Sequence, residues 1–338
     1  MSKHAWRLPD GMDEVLPPDA WALEALRRRV LDLFHAWGYE YVMPALVEYL
    51  DSLLVGSGND LELQTFRMVD QRSGRMLGVR ADMTSQAARI DAASFGAAGT
   101  RRLCYAGTVV HANPAGVLES RLPLLAGAEL FGVADVEADA EVIALMVAAL
   151  ACAGVANPVI ELGHVGFFRA LAASGKLGEE ERALFEALQN KSEPDIDALT
   201  RRSGIKGAVR RFLCALPNLM GGDEVLGNAR ELCAGLPAAT LHALDELAQL
   251  AAAVRRRCPD VSLRFDLGEL TGYGYHTGPV FTAFSPAFGR PVARGGRYDA
   301  VGRVFGGARP ATGFDVNLKR LPRPAVSLRA PSGLRWVC

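Results

Sequence analysis

The sequence has no Cys-x-x-Cys pair; its six cysteines stand apart at 104, 152, 214, 233, 258 and 338. That scatter argues against a zinc site and against a disulfide framework. Cys104 and Cys152 lie in apolar context and read as inert core thiols. Neither sign of charge is in excess: 37 basic and 38 acidic residues leave a net charge of −1. Composition therefore supplies none of the general phosphate attraction that a nucleic-acid binder uses. The start, Met-Ser-Lys-His-Ala-Trp-Arg, lacks the apolar region of a secretory signal. The alanine-rich run 143–155 is too short to cross a bilayer. A cytoplasmic protein with no membrane partner is expected. The glycines of 268–281 do not fit Gly-x-Gly-x-x-Gly and no helix pattern follows them, so a dinucleotide fold is not supported. Arginines 27–29 and 255–257 fall on polar helix faces or ends, and read as solvated faces rather than interaction patches.

What is present is apolar material. Half of the 338 residues are hydrophobic, enough for a large core. One large domain or two smaller ones is the expectation. After the turn-rich stretch 9–18, a helix starts near Asp19, a good N-cap. Leu23, Leu26, Val30, Leu33, Phe34 and Trp37 recur at helical spacing until Gly38. Residues 39–42 read as a strand closed by Pro44. Residues 65–69 and 75–80 read as a hairpin, with Asp70, Arg72, Ser73 and Gly74 as turn chemistry. Between 103 and 132, two apolar runs flank a break at Pro114 and Gly116, the mark of two antiparallel strands and a loop. A helix is expected over 136–154, its start crowded with Glu137, Asp139 and Glu141 where the helix dipole favours acids. A strand over 158–162 follows, with a helix opening at Gly163-His164. Residues 176–258 are largely helical, with polar breaks at 191–195 and 221–224; His242 reads as a helix-surface residue. Residues 261–267 return to strand alternation.

Several of these segments resemble one family. The stretch 103–132 looks like motif 2 of the class II aminoacyl-tRNA synthetases, most of all histidyl-tRNA synthetase. The helix and strand over 19–44 resemble motif 1. Arg80-Ala-Asp-Met-Thr84 resembles that enzyme's Arg-Pro-Glu-Gly-Thr, and Tyr275-His-Thr-Gly278 its histidine-specific segment. Residues 294–299, Arg-Gly-Gly-Arg-Tyr-Asp, resemble Gly-Gly-Arg-Tyr-Asp, and 311–321 stands at motif 3. The resemblance implies an α+β fold: a class II synthetase-like antiparallel sheet flanked by helices, with an inserted helical subdomain. The expected division is 1–175 and 259–325 for the two parts of the core, 176–258 for the insertion and 326–338 for a short tail. Motif 1 implies a homodimer interface.

The same resemblance assigns roles. Asp82 and Thr84 stand where the family holds the amino group of histidine; from the residues alone, Asp82 reads equally as a helix N-cap. Glu129 stands where an acid faces the imidazole, with Tyr275 and His276 beside it. A salt-bridged structural acid is the other reading of Glu129. The phosphate chemistry is degraded. His111 and Asn113 replace the motif 2 arginine and acid, Leu125 a glutamine and Thr271 the catalytic arginine. Asn317 and Lys319 replace a glycine and a glutamate of motif 3, while Arg320 is retained, either as a phosphate contact or as a structural residue. Each lost transition-state donor costs on the order of 10²–10³ in rate. Only 18 residues follow Arg320, fewer than an anticodon-binding domain needs. Amino-acid activation and tRNA charging are therefore not expected, and neither a metal nor a cofactor.

A synthetase core stripped in this way is similar to the ATP phosphoribosyltransferase regulatory subunits of histidine biosynthesis. That family implies a non-catalytic subunit, required by a short-form catalytic subunit in a hetero-oligomer, with histidine as feedback effector. The alternative is a histidyl-adenylate-forming enzyme acting on an acceptor other than tRNA.

Overall fold

The computed structural model describes residues 7–54, 59–96, 98–114, 116, 119–300 and 308–323. The tail 326–338, with Cys338, lies outside the described residues.

The chain opens with α1 (Asp19–Ala36), which turns Leu23, Leu26, Val30 and Phe34 into the core. The helix stops at Gly38, whose φ of 83° suits a residue without a Cβ. Next come β1 (Glu40–Tyr41), β2 (Val47–Tyr49), α2 (Leu50–Leu54), α3 (Asn59–Gln64), β3 (Phe66–Val69), β4 (Met76–Val79) and α4 (Thr84–Ile90). The motif 2-like stretch forms β5 (Arg101–Thr108) and β6 (Leu124–Phe131), paired antiparallel. α5 (Val136–Cys152) follows, capped by Asp135, whose side chain accepts from the Glu137 N–H. β7 (Val159–His164) runs through Gly163 and His164, and α6 (Gly166–Ala173) begins three residues after the glycine expected to open it. Then come α7 (Glu181–Gln189), α8 (Glu193–Arg202), α9 (Gly207–Ala215), β8 (Met220–Gly221), α10 (Glu224–Leu232) and α11 (Ala238–Arg257). β9 (Ser262–Asp266), β10 (Pro279–Ser285), β11 (Phe288–Arg297) and β12 (Ala311–Asn317) complete the order.

Nine strands form one sheet in the order β1-β5-β6-β12-β11-β10-β7-β9-β8. The six from β5 to β7 are antiparallel throughout. The parallel pairs, β1 with β5 and β7 with β9, lie toward the two edges. β8 arises inside the helical stretch and adds itself to β9. A second sheet, β2-β4-β3, stands apart.

Period-2 alternation sorts the main sheet's two faces. Cys104, Ala126, Ala128, Leu130, Phe314 and Val316 join the core of α1, α5 and the later helices. Phe34 meets Phe314 edge to face at 5.8 Å. α5 is apolar over most of its circumference, and most of its residues are buried. The opposite face carries Leu103, Tyr105 and Leu125, packed with Met83 and Tyr298. Glu129, two residues from Gly127 and four from Leu125, belongs to that second face.

Candidate functional site: an acid-lined pocket on the sheet

The second face is floored by glycine. Gly127 lies opposite Tyr105 on one side and Asp315 on the other. A Cβ on Gly127 would stand 2.5 Å from the Tyr105 ring. Gly313 lies opposite Glu129 and Gly296. A Cβ there would overlap the Glu129 carboxylate. Backbone without side chains thus makes the room that the acids fill.

Glu129 has no exposed surface. Its Oε1 accepts from Tyr105 Oη at 2.8 Å and its Oε2 from Tyr298 Oη at 2.5 Å. Tyr105 Oη also lies 3.1 Å from Thr84 Oγ1, so four side chains form one chain of hydrogen bonds. Burial pushes the Glu129 carboxyl up to about 8, against the pull of the two tyrosines. Among the described residues Glu129 is paired to hydroxyls and to no cation, which does not support the salt-bridge reading of this residue.

Asp82 stands one residue before the N-cap of α4, which is Met83. Its Oδ1 accepts from the N–H of Met83 at 2.6 Å and of Thr84 at 3.2 Å, at the start of α4. It also lines the pocket with Thr84, Glu129, Tyr275 and His276. All five residues matched to the histidine-binding positions therefore border one cavity of about 170 Å³. Burial raises the Asp82 carboxyl and lowers the His276 imidazole to about 4, so His276 is neutral at physiological pH. The Tyr275 hydroxyl is buried and finds no hydrogen-bond partner among the described residues. Tyr275 and Tyr298 stack with ring centroids 5.0 Å apart.

Other members escaped the sequence comparison. Asp315 and Arg294, paired across β11 and β12, line the same cavity. Burial and the nearby Asp82 push Asp315 up to about 7. Arg169 of α6 donates to the carbonyls of Tyr273 and His276 and so fixes the segment that carries Tyr275. Within Arg294-Gly-Gly-Arg-Tyr-Asp299 the labour divides. Arg297 turns to the other face and forms a buried pair with Asp139 of α5 at 2.7 Å. Tyr298 holds Glu129, and Asp299 accepts from the Ala311 N–H at 3.1 Å. Alternation along an edge-free strand was the one signal for this division.

A second cavity of about 420 Å³ adjoins the first, sharing Asp82, Arg294 and Asp315. His111, Leu125, Asn317 and Arg320 line it. His111 Nε2 lies 3.1 Å from the Ala81 carbonyl, and burial lowers its pKa, so the ring offers no charge at neutral pH. Arg320 is paired with Glu119, which also accepts from Arg290 at 2.8 Å. Asn113 is exposed and donates to the Leu63 carbonyl at 3.3 Å. Thr271 is exposed and borders neither cavity; its N–H donates to Glu269. His242 is exposed on α11, as its helix-surface reading required. Preorganised positive charge, the requirement for an adenylating centre, is thus absent from His111 and Thr271, and neutralised at Arg320.

The family model for histidyl-tRNA synthetase matches residues 11–321. An ATP phosphoribosyltransferase regulatory subunit of Alkalilimnicola ehrlichii is 55% identical over 321 residues, 95% of this chain and 80% of that protein. One from Pseudomonas syringae pv. syringae is 51% identical over 334 residues, 98% of this chain and 84% of that one. Among solved structures, an ATP phosphoribosyltransferase regulatory subunit/histidyl-tRNA synthetase from Bacillus halodurans C superposes with a TM-score of 0.84 at 29% identity, over 93% of this chain and 82% of that one. An ATP phosphoribosyl transferase complex from Thermotoga maritima contains a chain with the same fold, TM-score 0.64 at 16% identity, over 90% of this chain and 98% of that one. With the synthetase sheet in place and its cations lost or neutralised, the chain belongs to the ATP phosphoribosyltransferase regulatory subunits, the histidyl-tRNA synthetase-like family of histidine biosynthesis.

Proposed function

We propose that this chain is the non-catalytic subunit that activates a short-form ATP phosphoribosyltransferase, and that it carries the histidine signal to it. The observation that supports this reading most is a kept amino-acid pocket beside a neutralised phosphate site. Histidine would place its ammonium against Asp82 and Asp315, its imidazole against Glu129 and its carboxylate toward Arg294. The tyrosine pair Tyr105 and Tyr298 orients Glu129 for that contact. Histidine changes the activity of the complex only if it binds one of two arrangements more tightly. The chain neither activates histidine nor charges tRNA. A cytoplasmic location accords with this role; among the described residues no helix is long and apolar enough to cross a membrane.

The reading includes a homodimer through the motif 1-like region. Its support is an apolar surface that begins at the end of β1. Tyr41, Met43 and Leu46 are exposed there, and Val47, Tyr49, Phe66 and Met68 continue it on one face of the small sheet. Exposed apolar area of this extent marks an interaction site.

Phosphoribosyltransferase turnover, measured for the short catalytic subunit with and without this chain, tests the activator role; equal rates would refute it. Calorimetry with histidine tests the pocket: heat from the wild type and none from Glu129→Ala is expected. Equal heats from both would remove histidine from this site.

A further inference from the structure

The larger cavity gathers three arginines, Arg290, Arg294 and Arg320, yet holds them beside three carboxylates, Asp82, Asp315 and Glu119. Two of those acids belong equally to the smaller pocket. Glu119 does not. It comes from the connection between β5 and β6, Arg290 from β11 and Arg320 from just beyond β12. Three distant pieces of chain meet at one carboxylate.

We propose that Glu119 is the resident anion of this cavity, standing where a polyphosphate would otherwise bind. Its Oε1 accepts from Arg290 Nη1 at 2.8 Å and its Oε2 pairs with Arg320 Nη2. The Glu119 side chain is only 15% exposed, whereas that of Arg290 is 48% exposed. The acid is therefore set inward and one of its cations outward, the arrangement of a plug rather than of a surface ion pair. Each guanidinium spends its strongest hydrogen bonds on this carboxylate, as phosphate would require of it. His111, neutral on the same wall, adds no attraction. A polyphosphate approaching the cavity meets Arg290 and Arg320 already paired with Glu119, and a carboxylate that repels it. The space itself is sufficient: about 420 Å³ lies within the range of small-molecule sites. The block is thus electrostatic and internal to the chain. It stands whether or not histidine occupies the neighbouring pocket.

Titration calorimetry of the full chain with inorganic tripolyphosphate tests the proposal. The wild type is expected to give no saturable heat. Glu119→Gln keeps the shape, removes the charge and is expected to bind at least about tenfold more tightly, since a like charge within contact distance is lost. Glu119→Asp, which retains the charge, is expected to stay blocked. The double variant Glu119→Gln/Arg320→Met is expected to lose the gain, which locates the anion between the freed arginines. Circular dichroism confirms that each variant is folded, and Glu119→Ala substitutes for Glu119→Gln should the latter not fold. Equal affinity in the wild type and the charge-free variant overturns the proposal. So does a gain that survives in the double variant, because the anion then sits elsewhere.

Discussion

Gly313 faces Glu129 across paired strands so closely that a methyl group on Gly313 would occupy the place of the Glu129 Oε2. The acid and the glycine are one device: a buried carboxyl pointing over a neighbouring strand needs backbone bare of side chain beneath it. Gly313→Ala is expected to destabilise the fold by about 1–3 kcal/mol through overpacking. It is also expected to abolish histidine heat by displacing Glu129. Urea unfolding and calorimetry check both; unchanged stability with unchanged binding would show that the strand yields.

Glu129 also sets a pH dependence. Its folded pKa, about 8, lies above the ordinary glutamate value of 4.5. The native state therefore holds a proton that the unfolded state releases, and stability falls as pH rises from about 4.5 to about 8. Glu129→Gln keeps the shape and one oxygen that accepts from a tyrosine, turns the other contact into a donor from its amide nitrogen, and cannot ionise. The melting temperature of the wild type is expected to fall relative to that of the glutamine variant across this window. Asp315, pushed up to about 7, acts in the same direction and remains in both proteins. Parallel melting curves from pH 5 to pH 8 would contradict the assignment.

The pair Arg297–Asp139 ties the sheet to α5. Asp139 is fully buried and Arg297 nearly so, and the same guanidinium donates to the carbonyls of Val133 and Asp135. Asp139→Asn leaves that cation only the longer pair to Asp299, at 3.5 Å, as counter-charge, at a cost of up to about 3–5 kcal/mol. The loss is expected in denaturant midpoint with an unchanged slope. A loss below about 1 kcal/mol would mean that the backbone carbonyls suffice.

The small sheet offers a test of the homodimer. Tyr49, Leu77 and Met68 lie side by side in register on one face. Met68→Glu places a charge on the exposed edge strand of that face without touching the core. A wild-type dimer and a monomeric, folded variant are expected in sedimentation velocity. A variant that sediments as the wild type does would move the interface elsewhere.

Much of this was legible in the sequence wherever a short stretch carries its own geometry. The spacing of Leu23, Leu26, Val30 and Phe34 gives α1 and its buried face, and the break at Pro114 and Gly116 gives the pair β5 and β6. Asp82, Thr84, Glu129, Tyr275 and His276 could be named because they sit in segments that resemble a family's motifs. Asp315, Arg294 and Tyr105 lie in such segments as well, but their place in the pocket could not be read, since it arises from register between strands distant in sequence. Nothing local to Tyr105 says that Gly127 lies opposite it. Glu119 was invisible for the same reason: its partners lie 171 and 201 residues away. The two-residue strand Met220–Gly221 has no periodicity to read, and only its pairing with Phe265 and Asp266 reveals it.

That small strand has a consequence for anyone who would trim the chain. Excising residues 176–258 would strip β9 of the cover that β8 gives it and of the helices packed against Phe265 and Leu267. An uncapped strand end-row of N–H and C=O groups is an invitation to lateral self-association. The shortened protein should therefore clump rather than behave as a tidy miniature of the parent.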